Sequence, residues 1–439
     1  MELAAQQEKG RASALVPMAI IGLLFFIFGF VTWLNGSLIP FLKLICELND
    51  AEALLVAFAF YIAYTVMALP MAALLERLGY RSGMAWGLGI MALGALLFIP
   101  AALTAQYGLF LLALFVLGTG LTLLQTASNP YVVLLGPSDS AAMRISIMGI
   151  INKTAGVLVP LLFTSLVLAD LSHVSQASLS LLPDAERARQ LGAIAQRLVL
   201  PYLYMAGALL ALIALVRFSP LPDIHPRDER GQGGRLAELL RYPQLILGAL
   251  TLFAYVGLEV IAADTIGLFG ERLGVARYAS LTSYTMVFMV LGYSLGVLLI
   301  PRWLSQGRAL LLSGLAGLAC VLAALFSNPG SSAVSAWLFG WSGIPTVPDP
   351  VLFVAMMGLA HALVWPAVWP LALDGLGRHT AQGSALLIMG IAGGALLPLA
   401  FGHLAQYLGN MQLAYALALP CYLMIAFYAL KGHKMRSWG

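Results

Sequence analysis

The sequence predicts an all-α integral membrane protein with twelve transmembrane helices in two pseudo-symmetric six-helix bundles. Three observations predict it: too few charges to wet a globular surface, twelve apolar runs long enough to span a bilayer, and a basic turn recurring at matching places in both halves. Of the 439 residues, 61% are hydrophobic and 10% charged, against roughly 25% charged in soluble domains. Mean hydropathy is +0.92, so the main solvent is lipid. The net charge is only +4, and no basic run with interleaved aromatics points to nucleic acid. The three cysteines, Cys46, Cys320 and Cys421, lie far apart with no His or Cys at metal spacing. They read as small apolar residues, and neither a metal nor a cofactor is expected.

Residues 1–15 form a short polar tail without the apolar core and cleavage site of a signal peptide. A spanning helix needs about 20 mostly apolar residues. The first bundle, 16–218, holds runs at 16–43, 50–75, 83–104, 108–134, 144–169 and 199–218. The second, 243–431, holds runs at 243–270, 278–300, 308–327, 351–374, 381–405 and 412–431. Between them, 219–242 is polar and rich in Pro and Gly, which suits a flexible cytoplasmic tether. Residues 432–439 form a second short tail. The segment 327–350, with Trp337, Phe339, Trp341 and several Gly and Pro residues, reads as an outer surface loop or short interfacial helix.

Lys and Arg decide which side is cytoplasmic. Sixteen of the 23 fall in loops on the side of the two termini, six fall on the other side, and Lys153 lies inside a helix. Both termini are therefore expected in the cytoplasm, and an even number of spans agrees with placing them on one side. Leu75-Glu76-Arg77-Leu78-Gly79-Tyr80-Arg81 follows the second helix, and Pro301-Arg302-Trp303-Leu304-Ser305-Gln306-Gly307-Arg308 follows the eighth. Each places two Arg residues around a Gly, so that they can reach an acid or a helix end and latch one helix to another. Two ordinary basic turns are the simpler reading. Their matching positions favour the latch, formed by Glu76, Arg77, Arg81 and Arg144.

The turn at 75–81 resembles the signature loop of the major facilitator superfamily, with Glu76 in place of the usual Asp. Trp33-Leu34-Asn35-Gly36 with Leu38-Ile39-Pro40 in helix 1, and Gln125-Thr126-Ala127-Ser128-Asn129-Pro130-Tyr131-Val132 in helix 4, followed by Leu135-Gly136-Pro137 and Arg144, are more specific. This set resembles the fucose–proton symporter family and, within it, the glucose/galactose porter branch, over about residues 17–430. The resemblance implies a major facilitator fold in a bacterial inner membrane and import of hexoses with a coupling cation. It also implies a substrate-facing Asn152. Family acids are missing where Gly36 and Gln125 stand, and neither residue titrates, so the family's proton route does not carry over. Lys153 and Gly149 replace polar residues, so the pocket is rebuilt around a charge.

Polar side chains in hydrocarbon are costly, which makes those present candidate site residues. Gln125 and Asn129 are four apart and share a helix face, and amides match sugar hydroxyls as donors and acceptors. Hydrogen bonding between helices is the alternative. Asn35 is a candidate sugar or cation ligand. His361, Trp365 and Trp369 form an i, i+4, i+8 stripe. Trp365 reads as a platform for the C–H face of a pyranose, and Trp369 as either platform or interfacial belt. His361 joins the candidate substrate-binding residues, and is otherwise a proton carrier or a histidine bonded to a neighbour.

Lys153 needs an acid partner in the membrane, and helix 7 offers Glu259 and Asp264, about 140° apart on a regular helix. One acid is expected to neutralise Lys153 and the other to bind or carry the coupling cation; a purely structural ion pair is the alternative. No P-loop, Gly-x-Ser-x-Gly or His-Glu-x-x-His sequence is present. ATP drive and a membrane-embedded enzyme are therefore unsupported, and secondary transport by a functional monomer in a lipid bilayer is the leading expectation. Sodium is favoured over a proton. Proton-coupled or passive transport of another sugar or small polar solute is the alternative.

Overall fold

The computed structural model describes residues 2–134, 141–168, 179, 182–221, 236–300, 303–376 and 380–438. Twelve helices among them are long and apolar enough to cross a membrane. In the N-terminal half these are α1 (Val16–Ile45), α2 (Asp50–Leu75), α3 (Arg77–Thr104), α4 (Tyr107–Asn129), α5 (Arg144–Val167) and α6 (Asp184–Phe218). In the C-terminal half they are α7 (Pro243–Asp264), α8 (Tyr278–Leu299), α9 (Gln306–Phe326), α10 (Asp349–Leu373), α11 (Leu386–Leu408) and α12 (Met411–Lys434). No strand occurs among the described residues. The arrangement is the predicted pair of six-helix bundles. Large apolar side chains that face outward, such as Leu69, Leu166 and Phe326, are those a bilayer would cover.

Several helices are broken where the sequence weakens the ladder. In α1 the chain stops being regular at Leu34, between the helices Glu2–Trp33 and Asn35–Ile45. In α7 it breaks at Thr265, and Ile266–Arg272 continues beyond it. In α10 the break falls after His361, before Val364–Leu373. Discontinuous helices of this kind are where transporters build sites. The sixth span differs from the run read in the sequence: a helix at Asp184–Gln196, with Asp184 and Glu186 in its first turn, leads directly into Val199–Phe218. Its first half is too polar for a hydropathy reading to capture.

Arg81 donates from Nε to Val216 O (3.2 Å) and from its guanidinium to Arg217 O, tying α3 to the end of α6. Arg144 Nε donates to Val132 O at 3.0 Å, tying α5 to α4. Both meet the carbonyl-rich ends of helices, where a cation is favoured. Arg77 is exposed. The Glu76 side chain, Arg302, Arg378 and most of the 219–242 tether lie outside the described residues. The 327–350 segment carries a short helix, Ala333–Phe339. Asp349 anchors it, accepting from Ser331 Oγ (2.6 Å), Val334 N (3.0 Å) and Ser335 N (3.1 Å).

The halves meet along a seam that is shut at the face away from the termini. Gly36 in α1 lies so close to α7 and α8 that an added Cβ would strike Thr282 Oγ1 and fall 2.9 Å from Ala263 O. The Ser37 hydroxyl donates to Ala279 O, and Thr282 Oγ1 donates to Ala263 O at 2.7 Å. Above these contacts, Lys43 Nζ sits 2.9 Å from both Asp50 Oδ1 and Glu271 Oε2, and Arg272 pairs with Asp50. Two of these pairs, Lys43–Glu271 and Asp50–Arg272, cross between the halves.

Candidate transport site

Lys153 and Glu259 meet at the seam. Lys153 Nζ lies 2.6 Å from Glu259 Oε1, and each side chain is only 9% exposed. The ammonium also stands 4.0 Å from the centre of the Trp33 ring, a cation–π contact. Trp33 Nε1 donates to Asn152 Oδ1 (3.2 Å), and Asn152 Nδ2 donates to Phe25 O (3.2 Å). The Asn152 amide is thus engaged at both ends and holds the indole under the ammonium. Met286, Met289, Tyr293, Ala263 and Ala362 pack with Trp33 as an apolar cluster. In such surroundings an unpaired ammonium would be strongly disfavoured, which is why the carboxylate must be there.

A small cavity of about 20 Å³, room for about one water, is lined by Tyr64, Thr122, Gln125, Thr126, Asn129, Trp365, Ile388 and Ile391. It draws α2 and α4 of one half against α10 and α11 of the other. Gln125 Nε2 donates to Tyr64 Oη at 3.1 Å. The Trp365 indole lies 6.3 Å from the Tyr255 ring and 5.5 Å from that of Trp369. Tyr255 is the bridge to the charged pair, because it stands four residues before Glu259 on α7. The structure therefore brings Gln125, Asn129 and Trp365 to one cavity and sets Asn152, Lys153 and Glu259 together beside it.

His361 is placed differently. It is fully buried, its Nε2 is 2.7 Å from Tyr422 Oη, and the two rings stack at 5.8 Å. Of the two readings open for it, the arrangement is that of a histidine bonded to a neighbour, although Nδ1 has no partner. Trp369 packs against the core, with Nε1 unpartnered. Asp264 stands apart from Lys153: it is 0% exposed, and neither carboxylate oxygen has a hydrogen-bond partner. Asn35, 1% exposed, is likewise unpartnered at Nδ2. Sequence reasoning missed Tyr61, Tyr64 and Tyr293; tyrosines inside apolar helices were the available signal, and they are too common to single out. It also read Lys43 and Arg272 only as loop charges.

Among the described residues no group of three or more His, Cys, Asp and Glu could hold a metal ion. The cavity instead offers amides, hydroxyls and an indole between the two halves. That is the equipment of a membrane carrier. The Major Facilitator Superfamily profile matches residues 21–398, and the chain belongs to that superfamily. It is 33% identical to the glucose/galactose transporter of Brucella abortus biovar 1 (strain 9-941), over 94% of this chain and 93% of that protein. It is 28% identical to the L-fucose-proton symporter of Escherichia coli (strain K12), over 95% of this chain and 93% of that one. The crystal structure of the transporter FucP in the outward conformation matches with a TM-score of 0.71 and 26% identity, over 97% of this chain and all of that one. The fold and the relatives are those of transporters, not enzymes.

Proposed function

We propose that the protein imports hexoses such as glucose and galactose by symport with a cation. It works as a monomer in a bacterial inner membrane with both termini cytoplasmic. The observation that carries this reading is the cavity between the halves, where Gln125, Asn129 and Tyr64 face Trp365. Amides and a phenol supply donors and acceptors for hydroxyls, while the indole offers a face to the C–H side of a sugar ring. The glucose/galactose transporters of Brucella abortus and Helicobacter pylori, the latter named as putative and 30% identical, support hexose as the cargo. With the termini inside, the shut face of the seam is the external one, and alternating access opens it to admit sugar.

Sodium is the favoured coupling ion. The proton is the second reading, supported by the fucose–proton symporter relatives. Proteoliposomes containing the full chain should accumulate labelled glucose or galactose unchanged against its gradient. Replacing Na⁺ with choline at fixed pH should abolish that accumulation; undiminished uptake would transfer the role to H⁺, and equilibration without accumulation would make the protein a uniporter. Trp365→Ala should raise the sugar KM by about two- to tenfold, from the ~0.5–1.5 kcal/mol an aromatic contact contributes.

A further inference from the structure

The geometry points to a monovalent-cation seat formed by Asp264, Asn35 and Tyr61, whose occupation allows the external seam to close. This rests on the cation-coupled reading above and gives it a place. Three helices bring the groups together. Asp264 ends the regular part of α7, one residue from Ala263, whose carbonyl packs against Gly36 of α1. Asn35 immediately precedes Gly36. Tyr61 of α2 reaches the same stretch, because its ring and Val260 both abut Gly394, and Val260 stands one helical turn before Asp264 on α7.

All three are deeply buried, at 0%, 1% and 4% exposure, and all carry polar atoms without a partner: both Asp264 oxygens, Asn35 Nδ2 and Tyr61 Oη. Three such groups come from three helices at the seam between the halves. Burying a bare carboxylate there is strongly unfavourable. A sodium ion would find oxygens on Asp264 and Tyr61, and on Asn35 once its amide turns to present Oδ1 in place of the unpartnered Nδ2. A proton on Asp264 would instead make it a neutral acid beside an amide and a phenol. Either ion removes the charge that opposes closure.

The nearest alternative counter-charge is already committed. Lys153 is bound to Glu259 at 2.6 Å. On the external side, Lys43 and Arg272 are paired with Asp50 and Glu271. Behind Asp264, Thr265 Oγ1 bonds Tyr415 Oη at 2.9 Å, and no charge stands in that contact. The coupling then runs both ways, as linkage requires. The ion favours the closed external seam, and its departure leaves a bare carboxylate that favours reopening.

Closure is read without sugar. In the full chain with its three cysteines replaced by alanine, Ala279→Cys, which lies against Ser37 across the seam, is labelled in proteoliposomes by a membrane-impermeant maleimide. Labelling should slow about tenfold as the coupling ion is added. Na⁺ at fixed pH and pH at fixed Na⁺ are varied separately, and the one that slows labelling identifies the occupant. Asp264→Asn, permanently neutral, should label slowly whatever the ion. Tyr61→Phe removes only an unpartnered hydroxyl and should need several-fold more ion for the same protection. Labelling that neither ion alters in the parent chain overturns the seat, as does an ion response unchanged by Tyr61→Phe or retained in Asp264→Asn. An ion response in a protein that accumulates no hexose would overturn the cargo and leave the seat standing.

Discussion

Glu259 and Asp264 are two buried carboxylates on one helix, about 1.4 turns apart, and they stand in opposite conditions. Glu259 has an ammonium at 2.6 Å, itself steadied by an indole. Asp264 has no hydrogen-bond partner at all. A carboxylate with a fixed counter-charge has its charge already compensated. One without a partner is left to be neutralised by whatever cation arrives. In the proposal made above, the first holds the halves in register and the second responds to an ion.

The largest effect that would break this contrast is Glu259→Gln. It strands Lys153, and stranding one member of a buried pair costs about 3–5 kcal/mol. Thermal-shift measurements in detergent should show a large fall in Tm for the single variant. Adding Lys153→Met should recover much of that loss, since the remaining charge goes with it. A single variant as stable as the parent would mean that Lys153 is compensated elsewhere, and the division of labour between the two acids would collapse.

Next in size is Gly36→Val, which tests why Asp264 is buried. The added side chain must displace Thr282 or the Ala263 carbonyl, and overpacking of this kind costs about 1–3 kcal/mol. Because the strain exists only when the seam is shut, it should appear as a protein held open to the outside. The Ala279→Cys reporter should then label rapidly even with the coupling ion present, and hexose uptake should fall sharply. Slow labelling would show that the approach of α1 to α7 and α8 is not what encloses the acid. Smaller again is Trp33→Phe, which keeps an aromatic face for Lys153 but deletes the Nε1 bond to Asn152, worth about 1 kcal/mol. Its Tm should drop modestly, and by less than that of Glu259→Gln.

The twelve spans were legible because each is a long apolar run between polar breaks, a signal written residue by residue. The start of α6 was not, because Asp184–Gln196 is polar and its helicity comes from capping charge and from the helix that follows it. Lys153 announced that an acid had to be near, and helix 7 offered two. Only three-dimensional placement decides between residues five apart, so the choice of Glu259 lay beyond the sequence. Asn152 shows a second limit. An amide looks the same in the chain whatever it meets, and the sequence did not foretell that Asn152 bonds Trp33 and the Phe25 carbonyl. The Lys43–Asp50–Glu271–Arg272 network was invisible for a related reason: its members lie in separate turns, and only closure of the seam joins them.

That network gives the smallest expected effect and the sharpest control for the central pair. Lys43 and Lys153 both carry short carboxylate contacts, yet Lys43 meets a Glu271 side chain that is 29% exposed, and Arg272 beside it is 40% exposed. Water and salt screen the Glu271 contact, which contributes about 0–1 kcal/mol, and Asp50, 7% exposed, keeps Arg272 as its counter-charge when Lys43 is removed. Lys43→Gln should therefore change Tm little and leave transport within a few-fold of the parent. What it should shift is the balance of the seam toward opening, with faster labelling of Ala279→Cys at low ionic strength and a difference that shrinks as salt is added. An equal fall in Tm for Lys43→Gln and Glu259→Gln would mean that the two ionic sites are energetically alike. Burial, and not the presence of a partner alone, would then no longer explain why the seam closes over one acid and is locked by the other.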